Sequence, residues 1–434
     1  MSSKKKKKSL STAALLEYLF VLILILNANA IWTSYEDSPL NRFLKVALVF
    51  VGMVYVLAQK HLSSKAFQNI ALSLGLGLLY IVFYASALGY KTKGFVYLVC
   101  TAIAVYAVLQ AANSRGRGPE IFFKYRDIIL VVAVVSMFFW LFGSTLGIIS
   151  PTGVEYTTWG AQDMASGVKA IPSYFGVYFE TQSAESIVGN AGKMIRNTAI
   201  FTEAPMCNFH FCLALLIEMF YNPKTSRIKC ILLIVAILTT ISTTGYCMLV
   251  LALAAKYLTM HKSKGRLRYL IVLAVPVVMV AAVVVFRYLL ESKLSTGSGM
   301  SRVSDFVVGF RAWNNSPVFG YGYGKPFYYL NLHYGYCNSI TPILGSGGLF
   351  LASPYLYCVF MWARTCIRER DMQKFLLFAM FFFIFTITIM SFKFLSFFLF
   401  FAYCVKRPSA EPVPSRVVQH KVPATMQPAA VVLD

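Results

Sequence analysis

Apolar stretches recur along the whole chain of 434 residues: Ser11 to Trp32, Phe43 to Ala58, Ala66 to Leu88, Phe95 to Gln110, Ile128 to Ile149, Ile200 to Phe220, Ile228 to Ile241, Tyr246 to Leu258, Tyr269 to Phe286, Ile340 to Trp362, Phe375 to Met390 and Phe394 to Tyr403. Most approach the roughly 20 residues that a helix needs to cross a bilayer core. No single water-filled environment accommodates them. Hydrophobic residues make up 58% of the chain and charged ones 13%, against about 25% charged in soluble domains. The mean hydropathy is +0.65. The pattern predicts an all-α polytopic membrane protein of about twelve transmembrane helices, spanning 1–404, followed by a disordered cytoplasmic tail, 405–434, rich in Pro, Ala and Val.

The net charge of +23 would suggest nucleic acid in a soluble chain. Here the basic residues read as topology markers, so no nucleic-acid partner is expected. With the run Lys4 to Lys8 inside, 27 of the 40 Lys and Arg fall on the cytoplasmic side, which puts both termini inside. The stretch between Lys229 and Lys256 is too short for two full spans and long for one. A single crossing would place one basic flank outside, so two short helices are expected, turning at Ser242 to Gly245. The run Phe375 to Tyr403 has the same ambiguity, which leaves eleven spans as the alternative count. The start imitates a signal peptide, with Ala28-Asn29-Ala30 at the place of a cleavage site. The nine cysteines form no C-x-x-C pair and nearly all lie in apolar runs, pointing neither to a disulfide framework nor to zinc.

Two expected extracytoplasmic loops, Ser150 to Thr198 and Tyr288 to Ser339, run to about fifty residues each. Connections of that length are commonly functional. The cytoplasmic loops carry no phosphate loop or metal signature, so no cofactor is expected. The first long loop leads into KMIRNTAIFTEAPMCNFHF, placing Lys193, Arg196, Glu203 and His210 around a span entrance. Glu203 and His210 are seven apart, on one helix face and about 10 Å apart along the axis. Glu203 also suits a helix start, with Pro205 in the first turn. The second loop offers Arg302, Arg311 and Lys325 with Gly320, Gly322 and Gly324. Cations there run against the inside-positive bias. A guanidinium pair clamps a pyrophosphate bidentately, and glycines admit close backbone approach. Snorkelling to headgroups is the competing account of the arginines. His333 and Asn338 follow at the next span.

The segments R-N-T-A-I-F-T-E-A-P (Arg196 to Pro205), L-T-T-I-S-T-T-G (Leu238 to Gly245), R-A-W-N-N-S-P-V-F-G-Y-G (Arg311 to Gly322) and C-N-S-I with G-S-G-G-L (Cys337 to Leu349) resemble, in order and placement, the O-antigen polymerase and O-antigen ligase superfamily of Wzy-like integral membrane glycosyltransferases. The resemblance covers Arg196 to Phe350 in motif and the whole chain in topology. It implies transfer of a glycan from an undecaprenyl-diphosphate carrier to an acceptor sugar hydroxyl on the outer face of a bacterial cytoplasmic (inner) membrane, without a nucleotide sugar. On that resemblance Arg196, Arg302 and Arg311 bind the donor diphosphate; Lys325, Gly320, Gly322 and Asn338, beside them in the sequence, are further candidate binding residues. Glu203 or His333 is the catalytic base. A chain-length regulator and a flippase are the partners it implies. The ligases carry His-Asn where this chain has Cys337-Asn338, and the S-T-T-G turn lacks an arginine, so the resemblance points to a polymerase of capsular or exopolysaccharide repeats rather than a ligase. A repeat flippase would call for ionisable residues near the midplane and two similar halves. A lipid-phosphate-sugar mannosyltransferase would place its acid in the first outer loop, where Glu36 and Asp37 lie.

Overall fold

The computed structural model describes residues 12–34, 38–59, 62–88, 93–159, 167–185, 193–260, 297–323, 338–369 and 372–404. The expected ninth span, Tyr269 to Phe286, the tail and the run Lys4 to Lys8 lie outside the described residues, as do Glu36, Asp37, Gly324, Lys325, His333 and Cys337. The helices in chain order are α1 (Thr12–Asn27), α2 (Pro39–Leu57), α3 (Ser64–Leu88), α4 (Lys93–Ser114), α5 (Gly118–Phe139), α6 (Ala204–Leu216), α7 (Arg227–Thr239), α8 (Thr243–Met260), α9 (Gly297–Asn315), α10 (Ile340–Glu369), α11 (Met372–Thr386) and α12 (Phe394–Cys404). Six apolar helical stretches are long enough to cross a membrane: Pro39–Leu57, Ser64–Ala87, Lys93–Ser114, Gly118–Thr145, Ala204–Tyr221 and Ile340–Glu369. The protein is therefore built as a helical membrane protein.

Local chemistry sets several helix limits. Ser38 accepts a hydrogen bond from Asn41 N at 3.1 Å with Pro39 in the first turn of α2, which satisfies one orphan donor. α7 ends at Thr239 and α8 begins at Thr243, with Ile241 at φ +47° between them. The stretch from Lys229 to Lys256 is thus two helices. Past Thr386, the turn through Ser391 likewise separates α11 from α12. α5 and α6 both run on into π-helical turns, Trp140–Thr145 and Ile217–Tyr221.

Burial separates the core from the rim. In the apolar window of α6, 89% is buried, against 11% for α3. α6 is the hub of the bundle, flanked by α5, α7 and α8. α3 exposes Leu72, Leu76, Leu79 and Phe83, as a helix wetted by lipid does.

The two long loops carry secondary structure of their own within the mostly helical chain. The first folds into a three-stranded antiparallel sheet, β1 (Gly153–Thr157), β2 (Lys169–Tyr174) and β3 (Tyr178–Phe179), and a second pair, β4 (Ser183–Glu185) and β5 (Lys193–Ile195). Alternating residues such as Ile171 and Ser173 turn inward there, a period of two that hydropathy windows of helical length do not register. The second long loop contains α9, a 19-residue amphipathic helix. It buries Asp305, Gly309 and Ala312 on one face and packs on α10.

Candidate active site at the sheet-bearing end of the bundle

The segment Arg196 to Pro205 is fixed almost atom by atom. Asn197 is fully buried. Its amide nitrogen donates to Ser136 Oγ at 3.2 Å and Thr239 Oγ1 at 2.9 Å, and its backbone N donates to Thr239 O at 3.0 Å. Thr198 Oγ1 donates to Phe179 O at 2.6 Å. Ala199 sits at φ +48° and its carbonyl accepts from Phe179 N at 3.0 Å. Ile200 O and Thr202 N then bond to Ile31 N and Asn29 O, at 2.8 and 3.1 Å. Ala28 and Ala30 are buried in this packing. The motif residues between the arginine and the glutamate are therefore scaffold, clamped between the sheet and α1.

At the two ends of that scaffold sit Arg196 and Glu203. Arg196 Nε donates to Thr240 O at 3.1 Å, so the guanidinium lies beside the α7–α8 turn. Glu203 takes the N-cap position of α6 with extended backbone, but its carboxylate does not cap. Its Oε1 accepts from Trp159 Nε1 at 2.7 Å. The capping work falls to Gln182, whose Oε1 accepts from Ala204 N at 3.0 Å while its carbonyl accepts from Arg196 N at 3.1 Å. One residue thus joins the arginine and glutamate ends of the motif, through its backbone carbonyl at one and its side chain at the other. Gln182 and Trp159 carried no signal in the sequence, because neither lies in a periodic or charged pattern.

His210 does not join this cluster. It is fully buried, with Nδ1 at 2.7 Å from Tyr125 Oη, Nε2 at 3.0 Å from Ala28 O and its ring stacked on Phe201 at 4.1 Å. Both ring nitrogens are used, so it acts as a core histidine. Glu180, unremarked in the sequence, accepts at Oε1 from Ser144 and Tyr174, each at 2.6 Å, and ties the end of α5 to the sheet. Burial and this bond push the Tyr174 phenol up to about 12.

Gly320 and Gly322 of the second loop are consumed by backbone packing. Tyr321 N and Gly322 N donate to Gly345 O and Ser346 O at 2.9 and 2.8 Å, while Leu349 N and Phe350 N donate to Pro317 O and Val318 O at 2.8 and 2.9 Å. Gly348 interrupts α10 at φ +56°, ψ −152°. A Cβ on it would come within 2.5 Å of Val318 backbone, and one on Gly320 within 2.5 Å of Gly347 N. The two glycine-rich motifs, far apart in sequence, are one backbone-to-backbone junction.

The helical spacing of α9 does not bring its two arginine positions onto one face. Arg302 and Arg311 are nine residues apart, which turns them to opposite faces and separates them by about 14 Å along the axis. Position 302 shares the face of Asp305 and Gly309, against α10; Arg311 is exposed beside Phe310 and Val307. Asn338, fully buried, accepts at Oδ1 from Thr341 N at 2.9 Å and Thr341 Oγ1 at 3.0 Å. Its Nδ2 finds no acceptor among the described residues. Next to it Ser339 Oγ donates to Thr388 O and accepts from Met390 N at 2.8 Å, and Asn29 Nδ2 donates to Ile389 O at 2.8 Å. A hydrogen-bonded path therefore runs from Thr202 through Asn29 and the α11–α12 turn to Ser339, the residue after Asn338. Among the described residues, no three His, Cys, Asp or Glu side chains converge as a metal site requires.

All four sequence motifs thus meet at the end of the bundle that carries the sheet. Compared with family models, with curated proteins and with solved structures, the chain matches none of them.

Proposed function

We propose that the chain is an integral membrane glycosyltransferase that polymerises undecaprenyl-diphosphate-linked oligosaccharide repeats on the outer side of a bacterial cytoplasmic membrane. In this reading the chain crosses about twelve times, with both termini inside and the sheet outside. The observation that supports it most is the convergence of the four motif segments: Arg196 reaches the Leu238–Gly245 turn through Thr240, Thr202 reaches Ser339 through Asn29 and the α11–α12 turn, and Gly320–Gly322 dock on Gly345–Gly348. Segments separated by up to about 150 residues that share one end are what a site assembled from loops needs.

The roles follow from the chemistry. The acceptor hydroxyl gives its proton to Glu203, whose orientation is set by the Trp159 indole. The hydroxyl oxygen forms a bond to the donor's anomeric carbon while the bond to the diphosphate oxygen breaks, and the electron pair leaves with the diphosphate. Negative charge grows on that leaving group, where a fixed guanidinium stabilises it. Arg196 takes that role from the mouth of α6 and Arg302 from the α10-facing side of α9. Arg311, on the opposite face, serves the lipid headgroups. The Asn338 amide offers a buried donor to a sugar or phosphate oxygen.

The test is to incubate the purified, reconstituted protein with its lipid-diphosphate repeat and resolve the products by size. A ladder in whole-repeat increments is the expected result. Intact donor with folded protein would overturn the polymerase reading. Transfer to a different acceptor would then indicate a ligase, and movement of the lipid-linked glycan across the vesicle wall a flippase.

A further inference from the structure

The turn that closes β2 onto β3 carries a residue its backbone disfavours. Val177 N donates to Tyr174 O at 3.0 Å, and the two residues between, Phe175 and Gly176, have φ of +50° and +66°. Two positive φ values in succession mark a I′ turn, which Asn, Asp and Gly fill without strain. Gly176 conforms to that preference. Phe175 is a bulky side chain in a conformation that L-residues rarely adopt, and burial does not offset the strain, because the residue is 67% exposed and Val177 beside it 42%.

The surroundings say what such a tip touches. The Phe175 ring lies 5.8 Å from that of Phe139, in the last turn of α5, and Phe139 is 5.2 Å from Phe138. Val131, Val134, Phe138 and Leu141 are all exposed, and their spacing of three, four and three places them in one stripe along the helix. An open apolar stripe on a membrane-length helix is a lipid contact. Leu146 and Ile148, exposed beyond the helix end, continue it. The hairpin tip stands where that stripe ends.

We infer that the β2–β3 tip is a membrane anchor, with Phe175 and Val177 seated among phospholipids in the interfacial layer on the sheet-bearing side. The inference is independent of glycosyl transfer. Its structural consequence is direct: β3 leads through Thr181 to Gln182, which holds both Arg196 N and Ala204 N. Anchoring the tip sets the height of those residues over the bilayer.

The test replaces Phe175 with Trp in the full chain, reconstituted in phosphatidylcholine vesicles, and subtracts the emission of the parent protein with its five tryptophans. The expected difference spectrum is blue-shifted, quenched by phosphatidylcholine brominated near the headgroup and indifferent to aqueous iodide. Emission at the position of wetted indole, quenched by iodide, would overturn the inference. So would blue-shifted emission that neither quencher touches, since the tip would then be covered by protein, such as a second copy of this chain. If Phe175→Trp does not fold, Val177→Trp reports on the same tip with the same outcomes.

Discussion

The two ends of the bundle use charge in opposite ways. At the end away from the sheet, Glu17 is fully buried and receives Arg117 at 2.8 Å, the Lys124 ammonium and the Tyr55 hydroxyl at 2.8 Å. Glu218, also buried, takes Arg126 at 2.6 Å, and Asp127 takes Arg126 and Lys229, each at 2.8 Å. The pairs of Glu369 with Arg368 and Lys374 lie at this end as well. At the sheet-bearing end, Arg196 leans on a carbonyl, Glu203 on an indole and Glu180 on two hydroxyls. Paired charges at one end bind α1, α2, α5 and α6 together. At the other end neutral groups orient the charged side chains, the arrangement of a site that meets a charged ligand.

The largest effect that would break this contrast is at Glu17. Removing it by Glu17→Ala leaves Arg117 and Lys124 without their buried partner, a loss of about 3–5 kcal/mol, read as disappearance of the monodisperse peak in size-exclusion chromatography. Arg196→Ala should do the reverse: a normal peak, with glycan transfer down by about 100-fold or more. Arg196→Lys should rescue poorly, because an ammonium keeps the charge and loses the fork. Wild-type transfer in both variants would sink the division of labour between the two ends. Glu203→Gln retains the acceptor atom facing Trp159 and should leave thermal unfolding unchanged while halting transfer with donor still bound. If it instead depletes the protein, Glu203 is structural.

A smaller effect lies in the alkaline limb. Burial, followed by the bond to Glu180, raises Tyr174 from 10.0 to about 12. A phenol raised on folding contributes stability that is complete below its unfolded pKa and is lost as pH climbs through the folded one. Between pH 10 and about 12 the parent should lose stability that Tyr174→Phe does not, measured as the pH dependence of the unfolding temperature. The smallest change is expected from Lys229→Ala, since its pair with Asp127 is 33% and 39% exposed. Such a pair is worth about 0.2–1 kcal/mol, so an unfolding temperature that falls as far as for Glu17→Ala would refute the weighting of the two pairs.

Much of the helical frame is legible without coordinates. Basic flanks at Lys224 to Lys229 and Lys262 to Arg268 demand a turn between them, and the chain does turn at Thr240 to Ser242. The π-helical turns, the sheet of the first long loop and the amphipathic α9 are not legible in that way. Strands of two to six residues fall below any window that detects spans, and α9 mixes Gly, Ser and Arg into its apolar face. The site is legible only as segments: Arg196 and Glu203 stand out as ionisable groups at a helix mouth, while Gln182 and Trp159, which hold them, are ordinary loop residues.

The amino-acid sequence determined that the chain is built of apolar, membrane-length helices, because burying apolar runs is a local requirement that each segment meets by itself. Only the tertiary structure decided that His210 is a core residue with both nitrogens bonded, and that Gly320 and Gly322 meet the break in α10. Those outcomes depend on which atoms come within hydrogen-bond reach across tens of residues, as Tyr321 does with Gly345, up to the 182 that separate His210 from Ala28, and no periodicity within a segment encodes its distant partner.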